Sequence, residues 1–345
     1  MDKVFENVDS VTSVKEIHSL RIYSGNRKKD SIPFFTIAIP TFNRASTLTE
    51  TIDSALNQNG FDDYDIIVVD NNPERGDETE VLMNQYRTNP KVTYYKNTQN
   101  LGMAGNWNKC ALLATSDRFV LLHDDDVISP YFLSVLHCVL CSMKGAWSMI
   151  KPALIKFEKI DELFFEKYKS ISIQRMHSYN YFGGDCTGAP TAVLFNRNAY
   201  IRTDGALRKW YPSFDYVLSY SLSKISPVYK IDAFLGGYRV GINESLSEIT
   251  MNGFFKKKFE INNIIMGNRF IPVAFKKSIL SKRFYEDIEW VRRYYNMPNY
   301  TIDISQFELF PKDSLWLRFF NFVYHWFNRI TGRLSRRTIF IKSSI

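Results

Sequence analysis

The 345-residue chain has no uninterrupted apolar stretch of about 18 residues, the length a conventional membrane-crossing helix requires, so no such helix is expected. An apolar leader is missing too. The first 33 residues scatter Asp2, Lys3, Glu6, Asp9, Lys15 and Glu16 along a stretch without a hydrophobic centre, and no secretion signal is visible. Cysteine is scarce: Cys110, Cys138, Cys141 and Cys186 are the only four. Cys138 and Cys141 form a CxxC pair, but no second pair or histidine partners stand at the spacing of a structural zinc site. They are expected to be buried small hydrophobes on a helix within SPYFLSVLHCVLCSM. Reduced thiols without a leader fit the cytoplasm. No GxGxxG follows the first strand-like run, which argues against a dinucleotide site, and no GxxxxGK(S/T) occurs, which excludes a P-loop. Low-complexity tracts are absent and the composition is 45% hydrophobic and 23% charged, so the chain folds as one large domain, or as a domain with extensions.

Charge is unevenly placed. The formal net charge is +8, but residues 1–250 sum to −2, residues 251–293 to +6, residues 294–310 to −2 and residues 311–345 to +6. A slightly acidic front and a strongly basic rear suggest a nucleic acid or membrane surface met by the rear alone.

The front alternates strand and helix signals. Phe34 to Ile39 is a mostly apolar run that stops at Pro40, and Thr41-Phe42-Asn43-Arg44 reads as a turn. Leu48, Ile52, Ala55 and Leu56 then recur at helical spacing to about Asn57. Asp65 to Val69 is a second buried strand, ending at Asp70-Asn71-Asn72-Pro73. A helix is expected over 77–87, a strand over 92–95 before Asn100-Leu101-Gly102, a helix over 103–115, and a strand from Arg118 to Leu122 that runs into His123-Asp124-Asp125-Asp126. This alternation predicts a parallel α/β sheet, and its polar clusters all fall at the strand C-terminal edge, where ligands bind. Three adjacent aspartates there repel one another and lose solvation, which favours a divalent cation, magnesium or manganese, carrying a substrate diphosphate.

FTIAIPTFNR, DIIVVDNN, NLGMAGNWNKC and FVLLHDDDVISPYFL together resemble the inverting family 2 glycosyltransferases. The resemblance runs over about 34–248. It includes Gly188 to Phe195, Asp204-Gly205-Ala206-Leu207, Phe214 to Leu218, and Tyr238-Arg239 with Asn243 and Ser245 beyond. It implies a GT-A fold: an α/β domain with a mostly parallel central sheet and flanking helices, here with a C-terminal helical extension. It implies that Pro40, Thr41, Phe42, Asn43, Arg44, Asp70 and Asn71 hold the nucleotide, with Asn100, Gly102 and Asn106 from a second family loop. Asp124, Asp125 and Asp126 match the D-x-D region that holds the metal and the sugar diphosphate. Asp124 with Asp126 is the literal frame for the metal, and Asp125 is the ligand in the other. Asp215 matches the catalytic base, although Phe214 stands where the family often has Glu. His123 is either a group near phosphate or a loop residue, Asp185 either an acceptor contact or a plain turn, and Trp210 and Tyr211 either sugar-stacking or core.

The rear departs from this pattern. In 315–330, Trp316, Phe319, Phe320, Val323, Trp326, Phe327 and Ile330 share a helical face opposite Arg318, His325, Arg329 and Arg336. Such a helix suits the membrane interface, with Arg333, Arg336 and Arg337 drawn to anionic lipid, or else packs its apolar face on the domain. Phe254-Phe255-Lys256-Lys257-Lys258-Phe259 is expected to be a second lipid-facing patch or a solvated loop. The expected organisation is an N-terminal extension over 1–33, a GT-A domain over 34–250, a basic helical or loop extension over 251–310 and an amphipathic helix over 311–345. The implied activity is transfer of a sugar from a nucleotide diphosphate to a saccharide, lipid-linked in the expected case, in bacterial surface polysaccharide synthesis. The enzyme would sit peripherally on the inner face of the cell membrane and use no nucleic acid. A nucleotidyltransferase making sugar nucleotides, and a nucleic-acid-binding protein using the basic rear, are the alternatives. The first would carry a Gly-rich, Arg-containing loop where Pro40 to Arg44 stands.

Overall fold

The computed structural model describes residues 10–341 except 26–30, 183, 242–247, 268–271, 295–296 and 313; Asn243 and Ser245 lie outside the described residues. In chain order the elements are α1 (Val11–Lys15), β1 (Ser19–Tyr23), β2 (Phe35–Thr41), α2 (Ala45–Leu56), β3 (Tyr64–Asp70), α3 (Glu78–Met83), β4 (Val92–Asn97), α4 (Gly102–Leu113) and β5 (Arg118–Leu121). Next come β6 (Val127–Ile128), α5 (Phe132–Ser142), β7 (Met149–Phe157), β8 (Ser170–Met176), β9 (Val193–Asn196), α6 (Arg197–Arg202) and α7 (Phe214–Ile225). The chain ends with β10 (Val228–Arg239), α8 (Glu248–Gly267), α9 (Val273–Tyr294), α10 (Leu315–Leu334) and β11 (Arg336–Phe340).

Every residue of β2 and of β3 is buried, as expected for central strands covered on both faces. Successive side chains alternate between two cores. Ala38, Ile67 and Val69 face Trp107, Cys110 and Ala111 of α4. Ile37, Ile39, Ile66 and Val68 face Leu48 and Ile52 of α2. The strand order is β1-β4-β3-β2-β5-β9-β7-β10-β8-β11, with β6 pairing β10. The front half, β4-β3-β2-β5, is parallel. Beyond β5 the sheet is mixed: β9 runs antiparallel to β5 and β7, and only β7–β10 is parallel there.

Both ends of the chain enter this sheet. β1 pairs antiparallel with β4, and β11 pairs antiparallel with β8, so segments expected as extensions supply the two edge strands. α1 is pinned to the body as well. Its Val11 and Val14 are buried, Val11 N donates to Asp204 O at 3.0 Å, and the buried Lys109 ammonium donates to Val14 O at 3.2 Å. The Asp204-Gly205 turn has a packing cause. Gly205 has φ +74°, and a Cβ there would lie 2.1 Å from Asn108 Oδ1, which already accepts from Ala206 N and Tyr200 OH at 2.8 Å each.

Three expectations change in the rear and on α5. The Phe254–Phe259 stretch is not a loop but part of α8. Phe255 is in a small core with Phe284, Tyr300 and Phe307, and Lys258 pairs with Asp287 at 2.5 Å. Cys138 is only partly buried and Cys141 is exposed, because α5 turns that edge outward. α10 packs on α9 along one flank, Leu317, Phe320 and Tyr324, so that of the aromatic face only its Phe320 edge meets α9. Trp316 (61%), Phe322 (71%) and Trp326 (59%) are exposed, with Phe319, Phe327 and Ile330 beside them. Among the described residues no helix is long and apolar enough to cross a membrane.

Candidate active site

The loop after β5 is built by its neighbours. α2 follows β2 with Thr47 and Thr51 one turn apart on the face that meets this loop. Thr47 Oγ1 donates to Asp124 O and Thr51 Oγ1 to Asp126 O, each at 2.8 Å. From the other side, Arg239 at the end of β10 donates its backbone N–H to Asp126 Oδ1 at 2.8 Å and its Nε to Asp125 O at 2.9 Å. The Arg239 guanidinium is tied to Glu50 and lies over the Phe157 ring. Arg44, just before α2, pairs with Asp125. The strand edge thus fixes three acidic side chains that are each less than a tenth exposed.

Burial sets their protonation. It pushes the Asp126 carboxyl up to about 8 and the Asp124 carboxyl up to about 7, with the Asp125 charge adding to both. It pushes the His123 imidazole down to about 4, so the ring is neutral. Among the described residues, Asp126 Oδ2 and His123 Nε2 are buried without a hydrogen-bond partner. Ligand atoms of His123, Asp125 and Asp126 lie within 4.8 Å of one another. That donor set fits a divalent cation, since neutral imidazole and carboxylates bind one and a cation removes the mutual repulsion. Of the aspartates expected at the metal, Asp126 and Asp125 converge with His123, whereas Asp124 is outside that group.

The residues expected at the nucleotide divide into two groups. Phe42 is 41% exposed, and Asn43 holds φ +53°, so the 41–44 turn presents side chains at the sheet edge. Pro40 is inside β2, in register with Val69. Asp70 is fully buried. Its Oδ2 accepts from Tyr94 OH and Lys96 Nζ at 2.7 Å each, and its Oδ1 from Asn72 N at 2.9 Å. Here it anchors the turn that carries Asn72, whose Nδ2 reaches Asn43 Oδ1 at 2.9 Å. Asn71, Asn100 and Asn106 form an amide network. Asn71 Nδ2 donates to Asn100 Oδ1 at 2.7 Å, Asn97 Nδ2 bridges Asn71 and Asn106, and Asn106 Nδ2 reaches Val69 O at 3.0 Å. Gly102 starts α4 at φ +67°. These residues hold the β2, β3 and β4 loops in fixed register.

Asp215 sits in the first turn of α7. Aromatic rings bring it to the acidic loop: Trp107 stacks on His123 at 5.0 Å and meets Phe214 edge-on at 4.8 Å. Phe214, which replaces an acid of the family pattern, thus packs α7 against the site. Burial, and after it like-charge repulsion from Asp185, raise the Asp215 carboxyl to about 7. Asp185 is held in place by Thr187, whose N–H and Oγ1 donate to it at 2.8 and 2.6 Å. Tyr211 is 43% exposed, whereas Trp210 packs against the core under Lys257. A base must be ionised to act, so activity is expected to rise with pH through about 7. Removing the neighbouring charge with Asp185→Asn lowers the Asp215 pKa and moves the acid limb of the pH–rate profile to lower pH. An unmoved limb would refute that coupling.

Trp107, Thr47 and Thr51 carry no role in the sequence alone, and Arg239 only a place in a late family block. The pair of threonines four apart is a usable signal. The hold of Arg239 on the acidic loop leaves none, because Asp125 and Asp126 lie more than a hundred residues away in the chain.

The parallel half of the sheet holds a caged acidic cluster at its C-terminal edge, linked through the Trp107 ring to the helix that carries Asp215. The family model described as Glycosyl transferase family 2 matches residues 36–141. A stretch of 107 residues is 36% identical to GalNAc(5)-diNAcBac-PP-undecaprenol beta-1,3-glucosyltransferase of Campylobacter jejuni, covering 30% of this chain and 34% of that one. Another of 110 residues is 32% identical to abequosyltransferase RfbV of Salmonella typhimurium, covering 31% and 32%. The matches thus span about a third of these curated relatives. The solved structure of S. aureus TarS 1-349 in complex with UDP-GlcNAc superposes with a TM-score of 0.56 at 14% identity, over 79% of this chain and 77% of that one. Residues 36–141 thus carry the pattern of the family 2 glycosyl transferases, and the fold is GT-A.

Proposed function

We propose that the protein is an inverting glycosyltransferase that moves a sugar from a nucleotide diphosphate to a lipid-linked saccharide, at a membrane surface, in bacterial surface polysaccharide synthesis. The observation that carries this reading is the pair of buried, unpartnered atoms Asp126 Oδ2 and His123 Nε2 beside Asp125, ring-linked to the helix bearing Asp215. His123, Asp125 and Asp126 would hold manganese or magnesium. Bound there, the cation supplies electrostatic stabilisation of the leaving diphosphate. Asp215 takes the proton from the acceptor hydroxyl as that oxygen attacks the anomeric carbon, and the single displacement inverts it. Arg239, Thr47 and Thr51 hold the acidic loop still while charge develops. Phe42, Asn43, Arg44 and the 70–72 turn frame the nucleotide.

The names of the relatives support this substrate class, since the C. jejuni one specifies a PP-undecaprenol acceptor. The exposed Trp316, Phe322 and Trp326 support the membrane, because aromatic area of that size is favoured at the lipid interface. The deciding experiment is a screen of nucleotide sugars for divalent-dependent nucleotide release with a lipid-linked acceptor extract. Silence with every donor would sink the reading. For the membrane, co-sedimentation with anionic vesicles is expected, and Trp316→Asp/Trp326→Asp should weaken it at least tenfold. Unchanged sedimentation of the variant, or preference for single-stranded DNA at matched salt, would remove the membrane role.

A further inference from the structure

A second cavity lies away from the acidic cluster. It measures about 550 Å³, within the range of small-molecule sites, and is walled by β8, β10, α9, α10 and the loop after Gly184. Its lining includes Lys230, Lys282, Arg283 and His325, with Glu286 as the one carboxylate among the lining residues. Lys282 and Arg283 share that carboxylate, at 3.7 and 3.1 Å. Lys230 Nζ donates to Cys186 O at 2.9 Å, on the cavity wall. Three permanent cations against one anion leave the cavity electropositive, and an arginine beside lysines suits the oxygens of a diphosphate.

Two neighbours indicate what carries that diphosphate. On one side, Cys186 lies in the loop whose Thr187 Oγ1 donates to Ser219 Oγ on α7 at 3.1 Å, so the cavity flanks the helix that carries Asp215. On the other, α10 contributes Tyr324 and His325 to the wall and turns Trp316, Phe319 and Trp326 outward. One helix therefore joins a polar anion cavity to an exposed apolar face. A ligand with a diphosphate head and a long hydrocarbon tail meets both at once.

We infer that this cavity receives the diphosphate of the lipid-linked acceptor, with its hydrocarbon chain along α10 and its saccharide directed to Asp215. The inference rests on the lipid-linked reading above and assigns that acceptor a site. The test uses the full chain and farnesyl diphosphate as probe, titrated in EDTA so that no cation gives the acidic cluster affinity for a diphosphate. Wild type is expected to bind, and Lys282→Gln/Arg283→Gln to bind at least tenfold more weakly with its nucleotide affinity unchanged. Lys230→Gln, on a different element, is expected to weaken binding in the same way. Equal affinity of wild type and variants would overturn the site. Inorganic diphosphate binding as tightly as farnesyl diphosphate would assign the cavity to a free anion and overturn the lipid source. If no nucleotide sugar is turned over yet the variants still lose farnesyl diphosphate, the cavity assignment stands and the transferase reading falls.

Discussion

Asp215→Asn should abolish nearly all sugar transfer, by roughly 10²- to 10⁴-fold, the range a lost general base ordinarily costs. The amide keeps the size and the place of the side chain in the first turn of α7, so the loss isolates proton abstraction from folding. Donor affinity is expected to be unchanged, because Asp215 is on α7 while Arg44 and the acidic loop are fixed by α2 and β10. The pH profile supplies an independent check. Wild-type activity should climb through about 7, where burial and Asp185 place the Asp215 carboxyl, and the residual activity of the variant should lose that limb. Transfer within threefold of wild type would remove Asp215 from the mechanism.

Asp126→Asn should remove divalent-cation dependence and reduce transfer by about 10²- to 10³-fold, comparable to losing one strong electrostatic contact to the transition state. The Asp126 carboxyl is 1% exposed, and only one of its oxygens is partnered among the described residues, by the Arg239 N–H. Without a cation, burial holds this carboxyl protonated near neutral pH. An amide of the same shape therefore costs little in the unliganded fold. The clearest readout is thermal. Wild type should gain about 2.7 kcal/mol when the cation is present at a hundred times its Kd, and the variant should gain almost nothing. A variant that still melts higher with manganese would move the metal away from Asp126.

Much of the front of the molecule was legible in the sequence because its signals are local. The all-apolar runs of β2 and β3 could only be strands covered on both faces, and their polar ends had to meet at one edge. The acidic run after β5 identified the reactive edge for the same reason. Which aspartate faces a cation was not legible, because it depends on where Thr47, Thr51 and Arg239 draw the loop backbone. The partners of Asp70 were not legible either: Tyr94 and Lys96 from the adjacent strand engage one of its oxygens, and the Asn72 N–H the other.

The rear shows where periodicity alone falls short. An amphipathic helix over 315–330 was determined by the spacing of its aromatic residues, and α10 is that helix. Whether its aromatic face is core or surface was not, since both fates need the same pattern. Packing decided it: Leu317, Phe320 and Tyr324 meet the body along one flank, Phe327 touches Tyr179 edge-on, and Trp316, Phe319 and Trp326 are left outside. By itself the sequence determined the parallel front of the sheet, its acidic edge, the low-cysteine composition and the basic rear, all of which follow from side chains close in the chain. The tertiary structure alone decided the edge strands β1 and β11, the capture of the acidic loop by Thr47, Thr51 and Arg239, the meeting of the 185–187 loop with α7, and the cation-lined cavity beside α10. Each of these needs residues far apart in sequence to be brought together, and only the folded chain fixes their distances.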